Sequence, residues 1–194
     1  MRAYEEKADL YISLFGTLDS VHADDLALAE RHLSSRVVLD AGCGPGHWTA
    51  HLSSLGADAT GIDLTPSFIA HARAAHPGVP FRVGSLTALD VASGSVDGVL
   101  AWYSLIHFVP AEIDGVLAEL RRVLVPGGRL VLGFFDGGVV EAFEHGVTTA
   151  YRWPVDEMSA RLGAAGFVEV ERVRREAGDG QPRSHAVIVA EAAG

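Results

Sequence analysis

The sequence has very little cysteine and few basic residues. Among its 194 residues Cys43 is the single cysteine, which excludes an intrachain disulfide and favours a reducing, cytoplasmic setting. Lysine and arginine number 15 against 25 aspartates and glutamates, so the formal net charge is −10. A surface of that sign repels phosphate backbones, so we do not expect a nucleic-acid partner.

Long apolar runs are also absent. The longest, at residues 99–109, contains a histidine and is far shorter than the roughly 18 residues typical of a membrane span. The N-terminal segment MRAYEEKADLYISLFG is amphipathic and acidic, unlike the apolar centre of a signal peptide. We therefore expect no membrane partner. A small-molecule substrate fits better, with the chain acting as a monomer or homodimer.

Helical and strand patterns alternate along the chain. The spacing of apolar residues predicts helices at 4–15, 24–34, 46–56, 65–77, 110–128 and 154–166. It predicts strands at 37–41, 58–63, 81–84, 96–104, 129–135, 167–176 and 185–192. Alternation of this kind requires parallel strands joined by right-handed crossovers, and the last two strands form an antiparallel hairpin. The sequence predicts one α/β domain over 1–194, with a helical cap at 1–35 and a lid-like excursion at 136–153.

A glycine-rich loop follows the first predicted strand, in the stretch VVLDAGCGPGHW at 37–48. Such a loop lies at the crevice where open α/β sheets bind ligands, and its glycines let the backbone approach them closely. Asp40 stands two residues before Gly42, where its carboxylate would oppose a pyrophosphate. The ammonium and sulfonium of S-adenosylmethionine are positively charged, so the Asp40 carboxylate would attract them. The alternative role for Asp40 is a strand-end side chain that binds local amides.

A second acidic residue, Asp63, ends the second predicted strand. It lies 21 residues beyond Gly42, the spacing at which an acidic side chain binds ribose hydroxyls. An adenosylmethionine ribose and a nicotinamide ribose would suit it equally. The alternative is a helix-capping aspartate, since Thr65 and Pro66 begin a predicted helix.

At this point the sequence resembles the class I S-adenosylmethionine-dependent methyltransferases. VVLDAGCGPGHWTAHL is similar to their first motif, and GIDLTPSFIAHAR to the ribose-binding second motif. LRRVLVPGGRLVLGFF resembles the helix, proline-glycine turn and fifth strand of the family. The likeness covers nearly all of the chain in the right order. It implies a Rossmann-like three-layer fold with a seven-stranded, mostly parallel sheet in the order 3-2-1-4-5-7-6, strand 7 being antiparallel.

The resemblance also implies a set of cofactor-binding residues for S-adenosylmethionine and its product S-adenosylhomocysteine. The methionine end would be lined by Asp40, Gly42, Cys43 and Gly44, the ribose and adenine by Asp63, Leu64, Ser85 and Leu86, and the sulfonium side by Ala101 and Trp102. Tyr11 on the first helix would close over the methionine end, or belong to the apolar stripe of that helix. Ser85 stands where many members have an aspartate, which weakens the expected adenine contact.

The sequence indicates the binding site of the methyl acceptor less clearly than that of the cofactor. His107 follows the fourth strand and is the candidate general base, because a histidine titrates near neutrality; the alternative is a structural histidine. Tyr103 would wall an acceptor site, and Tyr151, Arg152 and Trp153 would bind an anionic or planar acceptor unless they form a packed lid. The remaining histidines have no metal-ligand spacing, so we expect no metal site.

The sequence therefore predicts a methyltransferase that acts on a small molecule by in-line displacement. An S-adenosylmethionine-binding protein without transfer activity is one alternative. A NAD(P)-dependent oxidoreductase is the other, disfavoured by Asp40 and by the absence of a Tyr-x-x-x-Lys pair.

Overall fold

A seven-stranded sheet with helices on both faces forms the body of the protein. The computed structural model describes residues 4–5, 7–19, 21–34, 36–146, 148–178 and 182–194. The helices are α1 (Ala8–Phe15), α2 (Ala23–Leu33), α3 (His47–Ser54), α4 (Pro66–Ala75), α5 (Ile113–Val123) and α6 (Val155–Ala164), with a short 3-10 helix at Leu105–His107. The strands are β1 (Val37–Ala41), β2 (Asp58–Asp63), β3 (Phe81–Val83), β4 (Val96–Trp102), β5 (Leu124–Phe135), β6 (Glu141–His145), β7 (Thr148–Arg152), β8 (Phe167–Arg175) and β9 (His185–Ala192).

The sheet order confirms the predicted fold class. It is β3-β2-β1-β4-β5-β9-β8, with β1 to β5 parallel and β9 antiparallel to both β5 and β8. Strands β6 and β7 pair with each other in a separate two-stranded sheet. The parallel strands all end at one edge, and their connections return to it.

Alternate strand residues pack into different layers, because successive side chains of a strand point to opposite faces. Val38 and Val131 are buried with α2 and α3 on one face of the sheet. Leu39 and Leu130 are buried with α5 and α6 on the other. The strands are apolar on both sides, as expected for a parallel sheet covered by two layers of helices.

Two predicted boundaries differ from the structure. Helix α5 ends at Val123 rather than near 128, and β5 begins at once with Leu124. Leu124 pairs with Val96, and the register shifts between Val96 and Gly98, so the Pro126–Gly127–Gly128 stretch forms an irregular start of the strand. Gly127 has φ +79°, a conformation that glycine adopts at little cost.

The segment 136–153, predicted as a lid-like excursion, contains two paired strands that the sequence pattern did not predict. Its strands β6 and β7 pair from Glu141↔Arg152 to His145↔Thr148. The sequence pattern missed them because a two-stranded sheet this short has little periodicity to detect. Among the described residues, no helix is long and apolar enough to cross a membrane.

Candidate active site

Two adjoining cavities open at the carboxyl ends of the parallel strands. The first cavity, of about 1100 Å³, lies beyond β1, β4 and β5. The second cavity, of about 860 Å³, lies beyond β2 and β3. They share the lining residues Tyr4, Tyr11, Gly42, Gly44, Trp102, Tyr103 and His107, and so form one crevice. This is where open α/β sheets bind their ligands.

The glycine loop is tied to the end of β2. The N–H groups of Gly42 and Cys43 both donate to the carbonyl of Ile62, at 2.7 and 3.0 Å. Gly42 has φ +85°, and a Cβ there would overlap the Cβ of Ser104. Gly44 has φ +52°, and a Cβ there would have nothing within 4 Å. The loop backbone is therefore held in place on one side and open to both cavities on the other.

Asp40 is a buried carboxyl group at the first cavity. It is 1% exposed and accepts a hydrogen bond from Thr49 Oγ1 at 2.6 Å. Burial raises the pKa of Asp40 to about 7, the Thr49 hydrogen bond opposes that shift, and the nearby charge of Asp63 adds to it. A positively charged ligand group would stabilise the ionised form.

Asp63 joins the glycine loop to the start of α4. Its Oδ2 accepts from the N–H of Gly44 at 3.0 Å, and its Oδ1 from the N–H of Thr65 at 2.8 Å. The Thr65 side chain makes no capping hydrogen bond, and Asp63 forms an Asx turn immediately before this helix. Burial raises the pKa of Asp63, against these hydrogen bonds. Asp63 also lines the second cavity, so the turn does not remove it from the ligand side.

His107 is hydrogen-bonded at both ring nitrogens. Its Nδ1 lies 3.0 Å from the carbonyl oxygen of Thr149, which accepts only, so Nδ1 carries the proton. Nε2 therefore accepts from the Tyr4 hydroxyl, 2.6 Å away. Burial lowers the pKa of His107, which keeps the imidazole neutral. Burial raises the pKa of Tyr4, which keeps its hydroxyl protonated.

Tyr103 has a strained backbone at the floor of the crevice. Its φ of +53° is the one positive value among the non-glycine residues that the structure describes. Its N–H donates to Gly133 at 2.9 Å, and its hydroxyl hydrogen-bonds to His185 Nδ1. Strain of this kind persists where the surroundings enforce it, often at ligand sites. Burial raises the pKa of Tyr103, so this hydroxyl is also protonated.

A buried ion pair lies at the far end of the first cavity. Arg175 Nη2 is 2.5 Å from Asp25 Oδ1, and Asp25 is 6% exposed. Both side chains line the cavity together with His145 and His185. The sequence pattern gave no indication that these residues meet, because they lie on α2, β6, β8 and β9.

The crevice brings together most of the residues predicted for the cofactor. Asp40 and Cys43 line the first cavity, and Asp63, Leu64, Ser85 and Leu86 line the second. Tyr11, Gly42, Gly44 and Trp102 line both, as do Tyr103 and His107. Ala101 lines neither, because it is fully buried among core side chains on the α5 and α6 face.

The three residues predicted for the acceptor near β7 also lie outside both cavities. Trp153 is 1% exposed in the core, and Tyr151 packs against the same core cluster. Arg152 lies over the Phe143 ring and pairs with Glu141 at 3.4 Å. Strand pairing within the hairpin explains this placement, since it directs Arg152 to its cross-strand partner.

Several cavity residues were missed from the sequence. Tyr4 carries no sequence signal that separates it from the apolar residues of the predicted helix at 4–15, and His145 and His185 have no metal-ligand spacing. Among the described residues, no group of three or more potential ligands is placed to hold a metal ion. Phe135 ends β5 at the crevice edge, and that strand-end position is the one signal that could have identified it.

Comparisons with known proteins agree with this fold. A methyltransferase domain family matches residues 38–128. The chain is 32% identical over 114 residues to a malonyl-[acyl-carrier protein] O-methyltransferase of Erwinia billingiae. This alignment covers 59% of this chain and 45% of the relative. It is 36% identical over 109 residues to a magnesium-protoporphyrin O-methyltransferase of Rhodobacter capsulatus, covering 54% and 48%. The chain thus spans less than half the length of each relative.

A solved structure matches the whole chain. The 1,6-didemethyltoxoflavin-N1-methyltransferase of Burkholderia thailandensis, solved with 1,6-didemethyltoxoflavin and S-adenosylhomocysteine, has a TM-score of 0.81 and 25% identity. The match covers 100% of this chain and 85% of the other. The sheet order and crevice define a Rossmann-like α/β protein of the methyltransferase type. Together with the family match over residues 38–128, this likeness supports a class I S-adenosylmethionine-dependent methyltransferase, a class whose cofactor is S-adenosylmethionine.

The residues present fit that cofactor. Gly42 tolerates no side chain, and Gly44 leaves open space at the loop. Two carboxyl groups, Asp40 and Asp63, line the crevice at the ends of β1 and β2. Carboxylates at these points suit an ammonium and ribose hydroxyls and would repel a pyrophosphate.

Proposed function

We propose that this chain transfers the methyl group of S-adenosylmethionine to a small-molecule acceptor bound in the first cavity. The observation that supports this most is the division of the crevice. Asp63 and Ser85 lie at the second cavity, Asp25 and His185 at the far end of the first, and Tyr103 lies on both. Such a crevice has room for a cofactor and for a second molecule beside it.

In this proposal Asp40 pairs with the ammonium of the cofactor and the backbone of Gly42 and Gly44 lies against its methionine portion. Asp63 accepts hydrogen bonds from the ribose hydroxyls. Leu64, Ser85 and Leu86 surround the adenine, and Tyr11 and Trp102 close the crevice over the remainder. When bound, the cofactor supplies an electrophilic methyl group attached to a good leaving group.

The residues of this chain then contribute position, exclusion of water and, where needed, a proton acceptor. The Tyr4 and Tyr11 rings pack edge to face with centroids 5.4 Å apart and cover both cavities. His107 presents an unprotonated Nε2 in the crevice, because Thr149 holds the proton at Nδ1. An acceptor hydroxyl or N–H that displaces the Tyr4 hydroxyl would transfer its proton to this nitrogen.

Calorimetry with S-adenosylhomocysteine tests the cofactor assignment. We expect saturable binding by the wild-type protein and at least tenfold weaker binding by Asp40→Ala, because the ammonium loses its counter-charge. Unchanged affinity in that variant would contradict the assignment of the loop. The fluorescence of added NADH tests the oxidoreductase alternative. Saturable binding of NADH would support an oxidoreductase and contradict the proposed function.

A product-release assay over a panel of acceptors separates an enzyme from a binding protein. Release of S-adenosylhomocysteine that depends on an added acceptor supports transfer. Cofactor binding without turnover on any acceptor favours an S-adenosylmethionine-binding protein. The single cysteine and its burial are consistent with a cytoplasmic setting for either function.

A further inference from the structure

We infer that the acceptor is an uncharged, planar heteroaromatic molecule, held in the first cavity against aromatic rings and hydrogen-bonded at its edge by imidazole nitrogens. This inference rests on the proposed function and deepens it by naming the substrate class. Three independent features of the cavity lead to it: its rings, its unpaired nitrogens and its charge balance.

Aromatic rings form a continuous wall on the acceptor side. Phe135 is at its centre, with ring centroids 4.9 Å from Tyr103, 5.3 Å from His145 and 5.3 Å from His185. Trp102 continues the wall, 5.4 Å from Tyr103. All five residues line the first cavity. The rings are tilted by 46–82° to one another, so a flat, unsaturated ligand can stack on one ring and meet its neighbours edge-on, which a puckered aliphatic ligand cannot do.

Two imidazole nitrogens on this wall have no partner. His185 Nδ1 is bonded to the Tyr103 hydroxyl, but its Nε2 is buried and has no hydrogen-bond partner within the described part of the chain. The same holds for His145 Nδ1. A buried polar group without a partner costs about 1–3 kcal/mol, so a ligand that offers nitrogen or oxygen atoms at its edge would gain from binding here.

The charge balance of the cavity disfavours an anionic acceptor. The Asp25 carboxylate neutralises the Arg175 guanidinium, with Oδ1 2.5 Å from Nη2, and this pair lies at the far end of the cavity. Arg183 lies over the Phe143 and Phe135 rings, 5.1 and 5.8 Å from their centroids, and does not line the cavity. A carboxylate or phosphate on the acceptor would therefore find no unpaired arginine among the described residues that line the cavity, which disfavours it.

The histidines do not supply that counter-charge. Burial lowers the pKa of four of the five lining imidazoles, to about 4 for His47 and His145, with His107 and His185 also lowered. These four are neutral at pH 7. The fifth, His22, has its Nδ1 3.6 Å from a carboxylate oxygen of Asp24.

Binding of matched probes to the protein saturated with S-adenosylhomocysteine tests the substrate class. The probes are 4-hydroxyquinoline, its 2-carboxylate congener, 1-naphthol and its saturated counterpart decahydronaphthalen-1-ol, with binding followed by calorimetry. We expect 4-hydroxyquinoline to bind at least tenfold more tightly than the carboxylate, and 1-naphthol at least tenfold more tightly than the saturated alcohol. Equal or tighter binding of the carboxylate or of the saturated alcohol, or no binding by any planar probe at millimolar concentration, would overturn the inference. If S-adenosylhomocysteine itself does not bind, the proposed function fails instead.

Two variants connect the probe to the wall. Phe135→Leu removes the central ring, and we expect at least tenfold weaker binding of 4-hydroxyquinoline with unchanged affinity for S-adenosylhomocysteine. Phe143→Leu is the matched control, because Phe143 packs on Phe135 at 5.3 Å but does not line the cavity. Thermal melting of both variants verifies that they fold. Equal effects of the two substitutions on probe binding would count against a stacking site.

His185→Phe separates hydrogen bonding from ring contact, since it keeps a ring and removes both nitrogens. We expect it to weaken 4-hydroxyquinoline severalfold more than 1-naphthol, whose ring carries no nitrogen. An equal effect on both probes would mean that His185 contributes only as a ring, which contradicts the proposed edge contact.

Discussion

The hydroxyl of Tyr4 lies 2.6 Å from Nε2 of His107, although the two residues are 103 positions apart in the chain. Lys7 Nζ adds a second tie from the same segment, to the carbonyl of Gly146 at 3.0 Å. Tyr4 is thus attached to the short helix after β4, and Lys7 to Gly146 directly after β6. This attachment covers the crevice and occupies the lone pair of the candidate base.

Tyr4→Phe tests how far this hydroxyl holds the N-terminal segment. The variant loses a hydrogen bond worth about 1 kcal/mol, so amides of α1 should exchange about fivefold faster in hydrogen exchange. Tyr11→Phe is the control, because the Tyr11 hydroxyl makes no hydrogen bond within the residues that the structure describes, and it should leave the rates near wild type. Equal exchange in wild type and Tyr4→Phe would show that ring packing alone holds α1.

Cofactor affinity should depend on pH through Asp40. Its pKa is raised to about 7, so the ionised fraction grows from about one tenth at pH 6 to about nine tenths at pH 8. S-adenosylhomocysteine should therefore bind about tenfold more tightly at pH 8 than at pH 6, as measured by calorimetry. Asp40→Asn should bind weakly with little pH dependence. A wild-type affinity that is flat over this range would exclude Asp40 as the counter-charge.

The same group should lower the stability of the ligand-free protein as pH rises. Asp40 holds its proton to about pH 7 in the folded state but loses it near pH 3.8 in the unfolded state. Between these pH values, ionisation of Asp40 therefore stabilises the unfolded state relative to the folded state. Asp40→Asn should therefore stabilise the protein by ~2–3 kcal/mol more at pH 8 than at pH 5. Urea unfolding at the two pH values measures this, and a difference of the opposite sign would contradict the buried acid.

His107 should define the acid limb of the pH-rate profile for an acceptor that loses a proton. Burial lowers its pKa below 6.5, so kcat should be constant at neutral pH and fall only as pH decreases through that lowered value. His107→Gln should lower kcat ~100-fold and remove the limb. His71 lies outside both cavities, so His71→Gln should retain the wild-type kcat and the acid limb. A His107→Gln variant that keeps rate and limb would rule out His107 as the base.

Removing one partner of the Asp25–Arg175 pair should destabilise the protein, whereas replacing both residues by apolar side chains should change its stability little. Asp25→Asn removes the buried carboxylate from the partly exposed Arg175 guanidinium, which keeps only Asp24 at 3.8 Å, and should destabilise the protein by about 2 kcal/mol in urea unfolding. The double variant Asp25→Leu with Arg175→Met should recover most of that loss. Asp114→Asn, which breaks an exposed pair with Arg161, is the control and should cost under about 1 kcal/mol. A double variant no more stable than Asp25→Asn would contradict this account.

The meeting of the glycine loop with the two acidic strand ends was predictable because its signals are local. Asp40 and Asp63 lie at the ends of the buried strands β1 and β2, so neighbouring parallel strands must bring them to one edge. The helices of the cap were predictable from their amphipathic spacing, whereas the place of Tyr11 at the crevice was expected only from the family resemblance, because spacing does not say which surface a helix meets. Ala101 and Arg152 were misplaced since an apolar strand end and a short hairpin do not indicate which way their side chains face.

Local signals in the sequence establish the alternation of strands and helices, the glycine loop and the two acidic strand ends. These features depend on residues close together in the chain, and they indicate the resemblance and its cofactor. The far end of the first cavity follows only from tertiary packing. Tyr4, Asp25, Phe135 and His185 lie far apart in the chain, and no periodicity connects them. They meet because the segment at Tyr4 packs with α2, β5 and β9 around one crevice.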